Sequence, residues 1–416
     1  MIYKVTPPAL SGTVKIALPA SKSLSNRALA ICALSGGMRQ IENLAECDDT
    51  EVMKAALDGV RNAEGCIDVH GAGTAMRFLT ACLAIGRESN VITGSERMCR
   101  RPIGILVDAL RSLGAAVDYC RAEGFPPLRV GGARMHGGAL SLPADISSQY
   151  VSALLMIAPC LDGGLTLKLE GVIASRPYID MTLQLMCGFG ADARWIADDT
   201  LRVEQSEYTA RPYAVESDWS AASYWYEIAL LSSDDKCCIS LPHLSAGSLQ
   251  GDARCSRYFS ALGVDTAFSE GVATLRKRSV VMPQELVLDL GGEPDLAQTL
   301  VAACCGKGIR FSFSGLANLR VKETDRIAAL ENELRKLGYV VKHLAGGTVY
   351  WDGETCPATE GAVIATYDDH RMAMCMAPLC ISKGSVSIAD PAVVAKSYPH
   401  YWDDLRLAGF TIEEIK

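Results

Sequence analysis

Residues 21–37 read SKSLSNRALAICALSGG. The polar opening of this stretch holds Lys22 and Arg27, and it passes directly into a run of Ala, Leu and Ile that ends at glycine. Because the run is apolar around the whole circumference of a helix, it predicts a helix buried inside a domain rather than one on its surface. The first turn of such a helix has unpaired backbone N–H groups and the positive end of the helix dipole, which together favour a bound anion.

The same design recurs along the chain. Five further segments pass from a polar loop into an Ala/Leu-rich helical pattern, and they begin near Gly71, Asp145, Ser217, Glu293 and Asp368. Six such units indicate a repeated architecture. Alternating stretches at 286–290 and 386–388 and an amphipathic pattern at 326–337 lie between them, so each unit mixes strands with helices. The expected fold class is α/β or α+β, built from repeats.

Length and composition set broad limits. A chain of 416 residues exceeds what one hydrophobic core supports, which predicts two domains, and its 49% hydrophobic and 21% charged residues are typical of a soluble enzyme. The net charge of −8 argues against broad binding to nucleic acid or to an anionic membrane. Residues 1–8 have no apolar signal core, and the apolar run at 151–160 is too short to span a bilayer. We expect a cytoplasmic protein.

The sixteen cysteines are scattered, and several lie in apolar stretches, as at 237–238 and 304–305. Reduced core thiols are therefore expected rather than a disulfide framework. No Cys-x-x-Cys pair is matched by a second pair or by a suitably spaced histidine, so the sequence predicts no metal site and no cofactor.

Basic side chains cluster at the polar openings of several units. The second unit contains Gly73, Thr74 and Arg77, and a basic stretch at 97–101 follows it. Pro102 suits the first position of a helix, which would place Arg101 close to a helix start. Residues 318–326 combine six ionisable or amide side chains within nine positions. A helix cap or a salt-bridged helix face explains any one of these motifs, but their number and order are specific.

The motifs resemble those of the enolpyruvyl transferases of the shikimate pathway. Residues 18–27, LPASKSLSNR, are similar to the N-terminal signature of that family, and residues 73–77, GTAMR, are similar to its glycine-rich second signature. Further family-like motifs follow in the same order at 101–104, 147–149, 175–178, 294–295, 318–326 and 369–371 and at Lys396. The resemblance covers essentially the whole chain.

The resemblance implies a two-lobed, inside-out α/β barrel in which each lobe has three βαβαββ repeats, with the helices inside and the sheets outside. One lobe would run over 21–217 and carry much of the shikimate 3-phosphate site. The other would combine 1–20 with 218–416 and carry Asp295, the 318–326 cluster, Arg371 and Lys396. The active site would lie in the cleft between the lobes, and the protein would be a monomer.

The implied activity is that of a transferase in aromatic amino-acid biosynthesis, on the route to chorismate. The enolpyruvyl group of phosphoenolpyruvate would pass to the 5-hydroxyl of shikimate 3-phosphate, with release of phosphate. The reaction would proceed by addition and elimination through a tetrahedral intermediate. Its partners would be these two small molecules, without nucleic acid, membrane, metal or cofactor.

The resemblance also implies a role for each matching residue. The expected contacts of shikimate 3-phosphate are Lys22, Ser23, Arg27, Ser147, Ser148, Gln149, Ser175, Tyr178, Asp295, Asn318 and Lys322. Those of phosphoenolpyruvate are Lys22, Gly73, Arg101, Gln149, Arg326, Arg371 and Lys396. Asp295 would be the base near the hydroxyl and Glu323 the group that protonates C3, with Lys22 close enough to take part.

Two alternative functions stay open at this stage. The first is the related carboxyvinyl transferase that acts on UDP-N-acetylglucosamine, but its N-terminal signature differs and its loop cysteine lies further from the Arg-Pro pair than Cys99 does from Arg101. The second is a non-catalytic anion-binding relative. Asp295 and Glu323 count against it, because a binder of anions gains nothing from carboxylates among its cations.

The chain also departs from the family pattern. Gly71 stands where Asn is frequent, Phe78 stands where Pro is frequent, and the stretch between Asp49 and Gly71 is short. We expect Gly71 and Phe78 to lie beside the phosphoenolpyruvate site. Since Gly73 is retained, the resemblance implies sensitivity to glyphosate, a competitor of phosphoenolpyruvate.

Overall fold

The computed structural model describes residues 1–8, 12–36, 41–86, 88–131, 134–143, 147–173, 175–234 and 236–415. Asp145, where one helical unit was predicted to begin, lies outside the described residues. Internal contacts divide the chain into two compact units. We call Ala20–Val215 the middle unit, and Met1–Pro19 with Glu216–Lys416 the terminal unit.

The strands are short and come in groups of four along most of the chain. In chain order they are β1 (Ile2–Thr6), β2 (Thr13–Lys15), β3 (Ile41–Glu42), β4 (Ile67–Asp68), β5 (Asn90–Thr93), β6 (Val117–Tyr119), β7 (Leu128–Val130), β8 (His136–Pro143), β9 (Asp162–Glu170), β10 (Ala193–Ala197), β11 (Thr200–Val203), β12 (Tyr213–Ala214), β13 (Cys238–Pro242), β14 (Val264–Ser269), β15 (Val272–Lys277), β16 (Glu285–Asp289), β17 (Arg310–Ser314), β18 (Lys342–Leu344), β19 (Thr348–Trp351), β20 (Val363–Ile364), β21 (Val386–Ala389) and β22 (Thr411–Ile415).

The helices alternate with these strands. They are α1 (Lys22–Ser35), α2 (Asp48–Leu57), α3 (Gly73–Ile85), α4 (Gly104–Ser112), α5 (Ser148–Ile157), α6 (Arg176–Gly188), α7 (Trp219–Leu231), α8 (Cys255–Ala261), α9 (Ala297–Lys307), α10 (Arg326–Lys336), α11 (His370–Met376), α12 (Cys380–Lys383) and α13 (Tyr401–Leu407). Within the described part of the chain, no helix is long and apolar enough to cross a membrane.

The terminal unit has three four-stranded sheets, in the orders β20-β21-β1-β22, β14-β15-β13-β2 and β16-β17-β19-β18. In the last of these, β16 pairs in parallel with β17, and β19 pairs antiparallel with both β17 and β18. Helix α9 follows β16 and α10 follows β17, so the segment is one βαβαββ repeat.

The middle unit has two sheets of the same design, β4-β5-β7-β6 and β10-β11-β9-β8. In the described residues its third sheet has two strands, β12 and β3, paired in parallel with Tyr213 opposite Ile41. Helix α2 ends at Leu57 and the next sheet already begins at Ile67, so this repeat lacks the closing strand pair. The short stretch noted between Asp49 and Gly71 is the sequence sign of that loss. The predicted α/β fold class is confirmed, with five full repeats and one shortened repeat in the described residues.

The apolar helix patterns are buried as the sequence predicts. In α1 every residue from Leu24 to Cys32 is buried, and in α7 Trp219 and every residue from Ala221 to Leu231 are buried. Side chains that precede the helices cap them, since Ser21, Asp218 and Asp369 each accept a hydrogen bond from a backbone N–H of the first turn. Each unit has its own hydrophobic core around such helices.

Candidate active site

Arg27 is a buried cation in the second turn of α1. Its Nε donates to Thr182 Oγ1 at 2.7 Å, its Nη2 to Ser152 Oγ at 3.2 Å, and its Nη1 to the Ser23 carbonyl at 2.9 Å. All three acceptors are neutral. Burial lowers the pKa of the Arg27 guanidinium to about 10, and Tyr178 opposes that shift. A desolvated cation whose partners are neutral gains strongly from an incoming anion.

The Lys22 ammonium faces a carboxylate. Its Nζ lies 3.6 Å from Asp49 Oδ2, and the two side chains are only 17% and 13% exposed. Asp49 is the second residue of α2, where an acidic residue is also explained by the helix dipole. Because the helix dipole already accounts for an acidic residue at this position, the sequence offers no reason to expect that Asp49 contacts Lys22.

Gly73 and Arg101 fit closely together. A Cβ added at Gly73 would lie 2.6 Å from Arg101 Nη1, so the absent side chain lets the guanidinium lie against the first turn of α3. The backbone N–H of Arg101 donates to the Met98 carbonyl at 3.0 Å, but its guanidinium has no hydrogen bond or ion pair within the residues that the structure describes. The predicted position of Pro102 at the first turn of a helix is wrong, because α4 begins at Gly104 after Ile103. The Pro102 carbonyl instead accepts a hydrogen bond from the Tyr150 hydroxyl.

The starts of α3 and α5 are linked by side chains. Gln149 Nε2 donates to Thr74 Oγ1 at 3.0 Å, and the Ser147 hydroxyl accepts from the Gln149 backbone N–H at 3.4 Å. Ser148 is the first residue of α5. The predicted Ser147, Ser148 and Gln149 thus lie at one helix start beside the turn that carries Gly73.

Ser175 has an uncommon backbone conformation. Its φ of 55° lies in the left-handed region, and its side chain is buried at the start of α6. Non-glycine residues in this region are frequent at functional sites. The Arg176 guanidinium lies 4.0 Å from the Trp195 ring centroid, and Trp195 Nε1 donates to Asp180 at 2.8 Å. These contacts hold the helix start that also carries Tyr178.

Phe78 lies against a different residue from those expected. Its ring centroid is 5.3 Å from the guanidinium carbon of Arg27, and the ring is fully buried. The departure from the family pattern at this position therefore touches a residue assigned to shikimate 3-phosphate.

In the terminal unit, Arg326 joins three carboxylates. Its Nε donates to Asp369 at 2.7 Å, its Nη1 to Asp295 at 3.0 Å and its Nη2 to Glu323 at 2.8 Å. The Arg326 side chain is 2% exposed. Burial acts to lower the pKa of this guanidinium, but the three carboxylates outweigh burial and raise it. Arg326 is therefore permanently charged and is the centre of the cluster.

Asp295 is surrounded by cations. Besides Arg326, its carboxylate accepts from Arg371 Nη2 at 2.8 Å and lies 3.9 Å from Lys322 Nζ. Burial acts to raise the pKa of Asp295, but Arg371, Lys322 and Arg326 together hold it well below its usual range. Burial also lowers the pKa of Lys322, which Asp295 partly opposes. The carboxylate of Asp295 is fully ionised at neutral pH.

Lys396 and Asn318, two predicted residues of the terminal unit, make no hydrogen bond or ion pair with this cluster within the residues that the structure describes. Lys396 Nζ is 2.7 Å from the Asp368 carboxylate and donates to the Asp368 carbonyl at 2.8 Å. Asn318 lies on the short 3-10 helix Ala317–Val321, and its Oδ1 is buried without a hydrogen-bond partner in the described residues. It is an acceptor that the fold leaves unused.

Sequence reasoning missed three residues that hold the predicted ones. These are Asp49, Ser152 and Thr182. Both hydroxyl residues are fully buried, and a buried polar side chain needs a specific partner. The single serine within the apolar run of α5 was the available signal for Ser152, whereas α6 also contains Asp180 and Gln184, so Thr182 does not stand out in the sequence.

All sixteen cysteines lie within the described residues, and each is a free thiol. Among the described residues, no group of three His, Cys, Asp or Glu side chains is arranged to hold a metal ion.

Comparison with known families decides the relationship. The model of the family described as EPSP synthase (3-phosphoshikimate 1-carboxyvinyltransferase) matches residues 5–64 and 60–405. The chain belongs to the EPSP synthase family. The resemblance drawn from the sequence is thereby confirmed, as is the assignment to the transferases.

Members of the EPSP synthase family match along nearly the full length. A 3-phosphoshikimate 1-carboxyvinyltransferase from Bacteroides fragilis is 51% identical over 96% of this chain and 96% of its own. One from Aliivibrio fischeri is 36% identical over 94% of this chain and 96% of its own. The solved EPSP synthase from Acinetobacter baumannii has the same fold, with a TM-score of 0.76 at 19% identity over 100% of both chains.

Proposed function

We propose that this chain transfers the enolpyruvyl group of phosphoenolpyruvate to the 5-hydroxyl of shikimate 3-phosphate, releasing phosphate, as a step in aromatic amino-acid biosynthesis. The observation that carries the mechanism is the cluster of Asp295 and Glu323 with Arg326, Arg371 and Lys322. It combines two carboxylates that can move protons with cations that can hold an anionic substrate.

The composition of both units suits two anionic substrates. Each substrate has a phosphate and a carboxylate, so bringing the two together requires several cations and helix starts. Arg27 and Arg101 in the middle unit are cations without a carboxylate partner in the described residues. Arg326 and Arg371 supply further positive charge in the terminal unit. Each unit thus contains cations that suit an anionic substrate.

The chemistry is an addition followed by an elimination. The 5-hydroxyl oxygen bonds to C2 of phosphoenolpyruvate while C3 gains a proton, which gives a tetrahedral ketal phosphate. The C2–O bond to phosphate then breaks and C3 loses a proton, so the double bond returns. Asp295 takes the hydroxyl proton, and Glu323 delivers and removes the proton at C3, with Lys22 near the reacting groups.

The ion pairs of Asp295 make its basicity depend on the substrate. In the free protein, Arg371 and Arg326 suppress proton uptake by Asp295. Both cations are among the residues assigned to phosphoenolpyruvate. When the anionic groups of that substrate share their charge, the pKa of Asp295 rises towards the range of a working base. The base is thus activated only when its substrate is bound.

We also propose the simplest setting for this activity, a monomer in the cytoplasm. The net charge of −8 and the absence of a spanning helix in the described residues are compatible with it. Of the two alternatives left open by the sequence, the transferase for UDP-N-acetylglucosamine is disfavoured by the names of the relatives. The presence of Asp295 and Glu323 argues against the second alternative, a non-catalytic anion-binding protein.

Phosphate release tests the proposed function. Purified protein is given phosphoenolpyruvate with shikimate 3-phosphate, and in parallel phosphoenolpyruvate with UDP-N-acetylglucosamine, both without added metal. Release with shikimate 3-phosphate alone is expected. Release with the nucleotide sugar alone would assign the chain to the related transferase, and no release with either would support an anion-binding protein.

Gly73→Ala is expected to weaken phosphoenolpyruvate binding. The new methyl group would overlap Arg101 Nη1, which lies 2.6 Å from its position, and the guanidinium must move. We expect KM for phosphoenolpyruvate to rise about tenfold, the size of one weakened charge-assisted hydrogen bond, with little change in stability. The inhibition constant for glyphosate should rise in the same variant, whereas the wild type should show competition.

Gly71→Ala is the matched control, because a Cβ at Gly71 meets no atom within 4 Å. If Gly73→Ala has the same KM for phosphoenolpyruvate and the same inhibition constant for glyphosate as Gly71→Ala, Arg101 does not bind this substrate.

Arg27→Met is expected to weaken binding of shikimate 3-phosphate by roughly 10- to 100-fold, the range for a lost hydrogen bond to a charged group. The buried guanidinium has only neutral acceptors in the described contacts, so its charge is available to the ligand. Calorimetric titration with shikimate 3-phosphate measures the effect. The exposed Arg129 on β7 provides the control Arg129→Met, and equal affinities in the two variants would remove Arg27 from the site.

A further inference from the structure

Two buried carboxylates near the Asp295–Arg371 ion pair have no role in the proposed chemistry. They are Asp252 and Glu293, and both are almost fully buried. Burying a carboxylate is costly unless it is well paired, so each should have a specific partner. Asp252 itself lies in the 3-10 turn Gly251–Arg254, and Arg254 of the same turn is a partner of Glu293.

The first connection leads from this turn to Arg371. The Ser220 hydroxyl donates to the Asp252 carboxylate, and its oxygen accepts from Arg371 Nη2 at 3.4 Å. A hydroxyl has one proton, so donation to Asp252 turns the Ser220 lone pairs towards the guanidinium. Asp252 thereby orients the Ser220 hydroxyl, which accepts a hydrogen bond from Arg371.

The second connection leads to Asp295. Arg254 Nη1 donates to Glu293 Oε2 at 3.0 Å, and the Tyr258 hydroxyl donates to Glu293 Oε1. Glu293 directly precedes the short helix Pro294–Leu296 that carries Asp295. Holding both carboxylate oxygens of Glu293 fixes the backbone from which the Asp295 side chain extends.

We propose that the Gly251–Arg254 turn positions the Asp295–Arg371 ion pair from both sides. Asp252 is a positioning residue that acts on Arg371, and Glu293 is one that acts on Asp295. The inference rests on the proposed function, in which Arg371 binds phosphoenolpyruvate and Asp295 removes a proton.

The two connections predict different kinetic effects. Asp252→Asn weakens the acceptor of the Ser220 proton, so Arg371 is held less firmly in its binding position, and KM for phosphoenolpyruvate should rise with a smaller change in kcat. Loss of the Glu293 connection misplaces the base, so Glu293→Gln should lower kcat by up to about 100-fold, as small displacements of reacting groups do. KM for shikimate 3-phosphate should stay at the wild-type level in Asp252→Asn, because Arg371 is not among the expected contacts of that substrate. A purely structural role would not separate kcat from KM in this way.

Asp265→Asn is the matched control. Asp265 also accepts from an arginine and a serine of the same repeat, Arg278 Nε at 2.8 Å and Ser260 Oγ at 3.1 Å, but it is half-exposed. We expect wild-type constants for it.

Arg254 allows a test that does not disturb a buried side chain, since it is 58% exposed. Arg254→Met should lower kcat as Glu293→Gln does, and Arg254→Lys, which keeps the charge, should largely restore it. All variants are assayed by phosphate release beside the wild type. A wild type without turnover would refute the proposed function itself. If the wild type is active but Arg254→Met and Asp252→Asn have the same kcat and KM as Asp265→Asn, the positioning role is refuted and the proposed function stands.

Discussion

Asp295→Asn is expected to lower kcat by about 10²- to 10⁴-fold, the usual contribution of a general base, while phosphoenolpyruvate binds more tightly than to the wild type. The first effect follows because an amide cannot accept the proton of the 5-hydroxyl. The second follows because the carboxylate of Asp295 competes with the substrate for Arg371 and Arg326, at 2.8 and 3.0 Å. Removal of its charge frees both cations for the substrate.

Phosphate release measures kcat, and calorimetric titration in the presence of shikimate 3-phosphate measures phosphoenolpyruvate affinity. Glu285→Gln, an exposed carboxylate on β16, is the control and should resemble the wild type. Near-normal turnover in Asp295→Asn would remove Asp295 from the mechanism, and weaker substrate binding would refute the competition. Glu323→Gln should also retain binding and lose most turnover.

Arg326→Met is expected to destabilise the protein by about 3–5 kcal/mol, because it leaves buried carboxylates without their shared cation. Asp369 is fully buried and Asp295 largely so, and each is bound by a different nitrogen of the same guanidinium. Arg326→Lys should fall in between, since a single ammonium cannot reproduce three directed contacts. The exposed Arg276 provides the control Arg276→Met.

Urea unfolding followed by tryptophan fluorescence reports on this change, because four of the five tryptophans, at 219, 225, 351 and 402, lie in the terminal unit. The effect should depend on pH. Asp295 has a depressed pKa in the folded state, so its ion pairs stabilise the fold at every pH above its ordinary pKa of 3.8. That contribution is lost as the pH falls towards the depressed pKa. The gap between wild type and Arg326→Met should therefore narrow in acid. A gap below 1 kcal/mol at neutral pH, close to the worth of an exposed pair, would contradict the central role of Arg326.

The sequence predicted those features of the fold that depend on local pattern. Apolar runs such as 28–32 after a polar turn gave the buried helices, because periodicity and capping are local properties. The predicted position of Pro102 was wrong. Its carbonyl accepts a hydrogen bond from the Tyr150 hydroxyl, 48 positions away, and a contact at that distance has no signal in the local sequence.

The candidate site was predicted where family motifs exist and was missed where contacts are long-range. Thr182 lies 155 positions from Arg27, and Ser220 lies 151 positions from Arg371, so neither pairing has a sequence signal of its own. Glu293 was visible only as the opening of a helical unit. Its pairing with Arg254 depends on how one repeat folds against the next.

The central claim is that this chain joins phosphoenolpyruvate to shikimate 3-phosphate by addition and elimination, with a proton delivered to C3 and then removed. The most direct measurement is the reaction in D2O, with the product examined by NMR and mass spectrometry. We expect an enolpyruvyl ether on the 5-hydroxyl of shikimate 3-phosphate whose vinyl CH2 contains solvent deuterium, because C3 passes through a methyl group. Full conversion to the same product without deuterium at C3, or no product at all, would contradict the account.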